Sequence, residues 1–129
     1  MDPNPAESAV KKYVPSSSQI TPDSIQEFVD QFNAGTLTPH LRSDPNPRSP
    51  AGSSLPIRAL NTESFKALFN DESESAGKDV FVFFSGAACF ICHEIWPDFE
   101  KLVRVVQEKS PNLIFAYIDL SKNELQEYA

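Results

Sequence analysis

Cys89 and Cys92 stand three apart in Ala88-Cys89-Phe90-Ile91-Cys92-His93, and no other cysteine occurs in the 129 residues. That spacing suits thiol–disulfide exchange, metal ligation or haem attachment. Exchange needs one thiolate nucleophile and a second sulfur close enough to eject a mixed disulfide. With the pair at the start of a helix, Cys89 is the exposed nucleophile and Cys92, one turn deeper, the resolving thiol. The unpaired N–H groups and positive end of a helix favour a thiolate there, lowering a cysteine pKa from about 8.5 toward ~3.5–7.5. Haem attachment would use His93 as axial ligand, but it needs a haem pocket and usually a second strong ligand, and the one methionine is Met1. Zinc needs four ligands, and only His40, in a distant linker, and His93, adjacent to Cys92, are on offer. A fourth reading is two small buried hydrophobes without redox work.

The elements around the pair favour exchange. Val80-Phe81-Val82-Phe83-Phe84 is apolar without alternation, as in a strand covered on both faces. A turn at Ser85-Gly86-Ala87-Ala88 leads into a helix carrying Ile91, Ile95, Phe99, Leu102, Val103 and Val106. Pro97 removes one backbone bond inside that helix and predicts a kink. Cysteines at a strand-to-helix junction in a β-α-β setting carry more weight than the spacing alone. Upstream, Leu55 to Leu60 reads as a short strand that tolerates Pro56 at its start or at an edge. Asn61 or Thr62 caps a helix with Phe65, Leu68 and Phe69 inward, and Asp71 to Gly77 is a solvated acidic loop. Downstream, Leu113 to Ile118 is a second buried strand ending at Asp119, and a last helix begins at Ser121 or Asn123 and runs to Ala129. The order β-α-β-α-β-α predicts an α/β fold with helices covering a largely parallel sheet.

Nine of the eleven prolines lie in the first 56 residues. Three parts follow: a mobile arm over 1–20, a helix and Pro/Ser-rich linker over 21–54, and a globular unit over 55–129, a size at which one core is marginal. Thr21-Pro22 sets an N-cap and first-turn proline. Ile25, Phe28, Val29 and Phe32 make one apolar face to be buried, on the rest of this chain or on a neighbour outside it, and Gly35 supplies the left-handed stop. Net charge is −7, from 11 basic and 18 acidic residues. Nucleic acid and anionic membrane surfaces are poor partners for such a chain. No apolar run reaches the roughly 18 residues of a span, and the first residues do not read as a signal peptide. Trp96 reads as packing, Tyr117 as a strand-end ring, and His40 as a linker residue.

Several ordered segments resemble the protein disulfide isomerase family. Lys12-Tyr13-Val14-Pro15, the helix Ile25 to Phe32, and Gly35 to Ser43 are similar to the end of its substrate-binding domain. Leu55 to Leu60, Phe65, and Lys78 through Cys89, Cys92 and Pro97, with Asp119 and Asn123-Glu124, are similar to its second catalytic domain. The resemblance implies a thioredoxin-like fold, here incomplete: β-α-β-α-β-α preceded by a helix and Pro-rich linker, without the closing strand pair and the cis-proline loop. Departures from the family pattern implicate Ala88, Phe90, Ile91 and His93 as modulators. Ala88 replaces a tryptophan, Phe90-Ile91 a Gly-His, and His93 a lysine; Phe83 stands where the family has a buried glutamate that assists proton transfer. Apolar side chains beside the sulfurs raise the cost of a thiolate, which implies a slow or reducing-leaning centre.

The function so implied is exchange with protein thiols and disulfides through catalytic Cys89 and Cys92. It uses no metal or organic cofactor, and glutathione or another thiol oxidoreductase recycles the pair. An endoplasmic-reticulum lumen follows from the resemblance alone. The alternative is a chaperone-like or protein-binding remnant that recognises unfolded chains and makes no use of the cysteines.

Overall fold

A computed structural model describes residues 10–50, 54–70 and 75–125. The first nine residues of the expected arm, Gly52, the acidic side chains Asp71, Glu72 and Glu74, and the end of the expected last helix lie outside the described residues. The chain divides into two compact units, one reaching Leu41 and the other Arg42–Leu125.

In the first unit, helix α1 spans Pro22–Asn33. Its start is a reciprocal cap: Thr21 Oγ1 accepts from the Ser24 N–H at 3.1 Å, and Ser24 Oγ accepts from the Thr21 N–H at 2.9 Å. Pro22 costs no hydrogen bond at this position. Gly35, at φ +70°, ends the helix as the sequence predicts. No residue of α1 is buried, and Ile25, Val29 and Phe32 stay largely exposed, with Tyr13 set edge-on against Phe32 at 5.3 Å between ring centroids.

The second unit is a three-layer α/β structure, a partial thioredoxin-like fold. Strands β1 (Ile57–Leu60), β2 (Asp79–Ser85) and β3 (Leu113–Asp119) form a parallel sheet in the order β1-β3-β2. Pro56 falls just before the edge strand β1, where a missing donor is harmless. Helix α2 (Thr62–Asn70) begins at Asn61, whose Oδ1 accepts from the Ser64 N–H while Ser64 Oγ accepts from the Asn61 N–H, each at 2.8 Å. Phe65 and Leu68 are buried as expected; Phe69 is not. Helix α3 (Phe90–Val106) runs through Pro97.

Strand alternation divides the core. Val80, Val82, Ile114, Ala116 and Ile118 pack with Phe65 and Leu68 of α2, while Phe83, Phe115 and Tyr117 pack with Trp96, Phe99 and Val103 of α3. Leu68, Val103 and Ile118 are almost wholly enclosed, each contributing about 1.5–3 kcal/mol by burial. The central strand β3 is buried along its length. The sequence reading of β2 as covered on both faces needs correcting: Phe81 is 44 % and Phe84 49 % exposed. The strand order explains it, because β2 has a neighbour on one side only among the described residues. In α3 the inward row is Trp96, Phe99 and Val103, and Ile91, Ile95 and Leu102 lie beside it in solvent. Tyr117 belongs to the core rather than to a strand end. Among the described residues, no helix is long and apolar enough to cross a membrane.

Residues 121–125 do not begin a helix. The side chain of Asn123 is occupied elsewhere: its Oδ1 accepts from the backbone N–H of Thr62 (3.1 Å) and of Asp44 (2.8 Å), and its Nδ2 donates to the Asp119 carbonyl (2.9 Å). Glu124 N–H donates to the Arg42 carbonyl, and Glu124 Oε2 accepts from the Arg42 N–H, both at 2.9 Å. This polar clamp ties the segment after β3 to the entry of α2 and to residues 42–44. Asn123 is 3 % exposed, so its loss strands donors out of water. Asn123→Ala is expected to lower unfolding free energy by about 2–3 kcal/mol in urea titrations of the full chain, with an unchanged m-value. A shift under a few tenths would show the clamp to be incidental.

Candidate active site

The cysteines sit where β2 hands over to α3. Pairing with β3 carries β2 as far as Ser85, opposite Asp119, and the Ser85 carbonyl accepts from the Leu120 N–H at 2.8 Å. The chain then turns through Gly86, Ala87 and Ala88, with the Cys89 N–H donating back to the Gly86 carbonyl at 3.1 Å. Cys89 is the N-cap of α3. Its backbone is extended, and its Sγ accepts from the Cys92 N–H at 3.2 Å, the place an Asp or Ser oxygen takes in ordinary caps.

Cys89 and Cys92 are joined as a disulfide across a Cα separation of 5.2 Å. Both residues are half-buried. Cys92 Sγ lies 3.9 Å from the Phe84 carbonyl oxygen, a contact that becomes a hydrogen bond only when Cys92 carries a proton. One turn further, Trp96 continues the sheet-facing row into the aromatic cluster of Phe83, Phe99 and Tyr117.

No family model matches the chain. Similar curated proteins do exist. A protein disulfide-isomerase of Gallus gallus is 31 % identical over 120 residues, 93 % of this chain and 22 % of the relative. The probable protein disulfide-isomerase ER-60 of Schistosoma mansoni is 32 % identical over 103 residues, 80 % of this chain and 20 % of the relative. A protein disulfide-isomerase of Oryctolagus cuniculus is 30 % identical over 120 residues, again 93 % and 22 %. The chain belongs to the protein disulfide isomerase family. It spans about a fifth of the length of these relatives.

The residues singled out as modulators are exposed around the cysteines in sequence. Ala88 precedes the cap and is exposed. Phe90 is 83 % and Ile91 66 % exposed, so the two side chains between the cysteines extend into solvent. His93 is also exposed, and its N–H donates to the Cys89 carbonyl at 3.3 Å. Phe83 is half-buried, edge-on to Trp96 at 5.4 Å and near-parallel to Tyr117 at 6.3 Å. The wall packed against α3 at Trp96 is aromatic, with Phe83 where the family resemblance has a glutamate. His40 belongs to the other unit. Among the described residues, no three His, Cys, Asp or Glu side chains gather as a metal set.

Sequence reading missed Ser85 and the place of Tyr117. Ser85 is buried, and its hydroxyl acts on the Tyr117 phenol from the neighbouring strand. Their partnership was hidden because it depends on the β2–β3 register, which pairs Phe83 with Tyr117 and Ser85 with Asp119. Desolvation by burial pushes the Tyr117 pKa above its ordinary 10.0; the Ser85 hydrogen bond opposes that shift and the Asp119 charge adds to it. A neutral phenol preferred in the folded state gives a definite sign. The stability it contributes is intact below pH 10.0 and falls as pH rises through the folded pKa, because the unfolded chain releases its proton first. Urea midpoints of the full chain measured from pH 8 to 11 should drop more steeply in wild type than in Tyr117→Phe. Parallel curves would remove this account of the phenol.

Proposed function

We propose that the chain exchanges disulfides with protein substrates, with Cys89 as nucleophile and Cys92 as resolving thiol. The observation that carries this reading is the capping sulfur. Cys89 Sγ already accepts the Cys92 N–H at the positive end of α3, so a thiolate formed there meets a donor and a favourable dipole without rearrangement. In the oxidising direction, a substrate thiolate attacks Cys89, a substrate–Cys89 disulfide forms, and Cys92 leaves as a thiolate. A second substrate thiolate then attacks the substrate sulfur, leaving a substrate disulfide and the reduced pair. Each turnover moves two electrons from substrate to protein, and the reverse order reduces a substrate. Glutathione disulfide, or the disulfide of another thiol oxidoreductase, takes those two electrons and restores the Cys89–Cys92 disulfide; after the reverse direction reduced glutathione restores the dithiol.

The modulators set the rate in this reading. Neither the Phe90 nor the Ile91 side chain can donate a hydrogen bond to a sulfur, and Phe83 puts a ring where the family resemblance has the carboxylate that carries a proton to the resolving thiol. The centre is accordingly slow, or leans toward reduction. Family membership also supports residence in the endoplasmic-reticulum lumen and action on folding proteins.

Insulin reduction in the presence of dithiothreitol tests the assignment. Cys89→Ser should lose essentially all catalysed turbidity, and Cys92→Ala should accumulate a mixed disulfide with substrate that is visible on non-reducing gels. Equal insulin reduction by wild type and Cys89→Ser would leave the chaperone-like reading, which the exposed Phe81 and Phe84 favour, as the one to pursue.

A further inference from the structure

Trp96 is 6 % exposed, and its indole Nε1 is closed off from solvent without a hydrogen-bond partner. A buried donor in that condition carries a desolvation cost that nothing offsets. Its enclosure comes from inside the unit: Phe83, Phe99 and Tyr117 pack around the indole at centroid distances of 5.4, 5.3 and 5.2 Å. Chain added beyond the unit can extend that cover, but it meets a nitrogen already enclosed. The idle donor lies one turn from the redox pair. Cys92, Trp96, Phe99 and Val103 follow one another at helical spacing, so Cys92 heads the row that α3 turns toward the sheet. Side chains on a helix lean back over the turn that precedes their own Cα. The Trp96 ring therefore leans toward the turn that carries Cys92. Cys92 Sγ itself stands 3.9 Å from the Phe84 carbonyl oxygen, so a thiolate formed there would face another acceptor. Neighbouring polar groups are occupied. The Cys92 N–H donates to Cys89 Sγ, the His93 N–H donates to the Cys89 carbonyl, and the Ser85 hydroxyl acts on the Tyr117 phenol.

We propose that the Trp96 indole N–H donates a hydrogen bond to Cys92 Sγ as that sulfur leaves as a thiolate, which makes Trp96 a catalytic residue of the exchange step. The proposal rests on the exchange reading above and deepens it. In the oxidised chain Cys92 is a disulfide sulfur, a weak acceptor, and the indole N–H stays unpaired. A substrate thiolate attacks Cys89 Sγ, the substrate–Cys89 bond forms as the Cys89–Cys92 bond breaks, and the electron pair leaves on Cys92 Sγ. That sulfur is now a charged acceptor beside an aromatic wall, where a positioned donor counts for more than it would in water. Indole is a donor only, so Trp96 keeps its proton throughout. Cys92 takes its proton from water, and the resulting thiol can turn its S–H toward the Phe84 carbonyl. A donor idle before bond cleavage and engaged after it fits the leaving state better than the ground state, which is what lowers a barrier. The rings of Phe83 and Tyr117, set at right angles to the indole, supply the rival account. A weak N–H···π contact with either would hold the indole equally in both redox states.

Trp96 is the only tryptophan in the chain, so biosynthetic replacement of tryptophan by 3-benzothienylalanine exchanges this one N–H for sulfur and keeps the ring shape. Three measurements on the full chain compare that form with wild type. Opening of the disulfide by dithiothreitol should slow about tenfold, the loss of one hydrogen bond to a charged group. Ultraviolet absorbance of the Cys89→Ser variant should show the Cys92 thiolate forming at a higher pH with the analogue in place. The urea midpoint of the oxidised chain should stay level or rise, because the N–H has no partner there to lose. Trp96→Phe, which also lacks the N–H, should repeat the first two changes but with a lower urea midpoint from its smaller ring. Equal opening rates, or a thiolate that forms at the same pH in both, overturn the proposal. A lower midpoint for the oxidised analogue with an unchanged opening rate overturns it in favour of the ring contacts. A disulfide that no thiol opens counts against the exchange reading, while the thiolate titration, which needs no exchange, still decides the contact between Trp96 and Cys92.

Discussion

The register between β2 and β3 is the constraint from which the rest of the second unit follows. Seven residues of each strand run parallel in step, from Asp79 beside Leu113 to Ser85 beside Asp119. A one-residue slip of β2 against β3 would turn Phe81 and Phe83 from the α3 face to the α2 face while Tyr117 stayed in place. Trp96 would lose Phe83, and Phe99 would lose both Phe81 and Phe83. The register also fixes where the strand stops, and hence where Gly86 to Cys89 must turn. A sulfur can cap α3 because the strand below delivers it to that point.

At the helix starts, polar groups are satisfied by residues close in sequence. Thr21 with Ser24 and Asn61 with Ser64 close the two helices outside the redox site with hydroxyl and amide oxygens. At α3 the same duty falls on Cys89 Sγ, a weaker acceptor than oxygen. Capping and redox chemistry thus draw on one atom. Asn123 performs the corresponding service for the segment after β3, joining three backbone groups from three parts of the chain. The small unit spends buried hydrogen bonds, as well as apolar area, on holding its strand ends in place.

Local signals were legible in the sequence and neighbour-dependent ones were not. Thr21-Pro22, Gly35 and the Asn61 cap could be read because they depend on residues within a few positions of one another. The parallel α/β order followed from the alternation of apolar runs with helical spacing. The cysteine pair at the strand-to-helix junction was visible for the same reason. Burial was harder. Five consecutive apolar residues in β2 read as a fully covered strand, yet the order β1-β3-β2 leaves Phe81 and Phe84 half open. Ile91, Ile95 and Leu102 matched a helical stripe but lie beside the inward row, because Trp96 set its phase. Ser121 and Asn123 looked like a helix start. The Asn123 amide instead bridges residues far apart in sequence, which no local pattern announces.

The aromatic wall beneath the cysteines has a consequence of its own. Phe83 and Tyr117 lie side by side below the first turn of α3, and Trp96 closes the space between them. A carboxylate buried in that position without a partner would carry a large desolvation cost in so small a unit. Hydrocarbon there lowers that cost and anchors α3 firmly, but it removes a charge that could move a proton. On the exchange reading, the backbone supplies polarity of its own at the sulfurs: the Cys92 N–H toward Cys89 and the Phe84 carbonyl beside Cys92. These two groups differ in sign, a donor at one sulfur and an acceptor at the other. They favour an ionised Cys89 next to a protonated Cys92, the division of labour that thiol exchange requires.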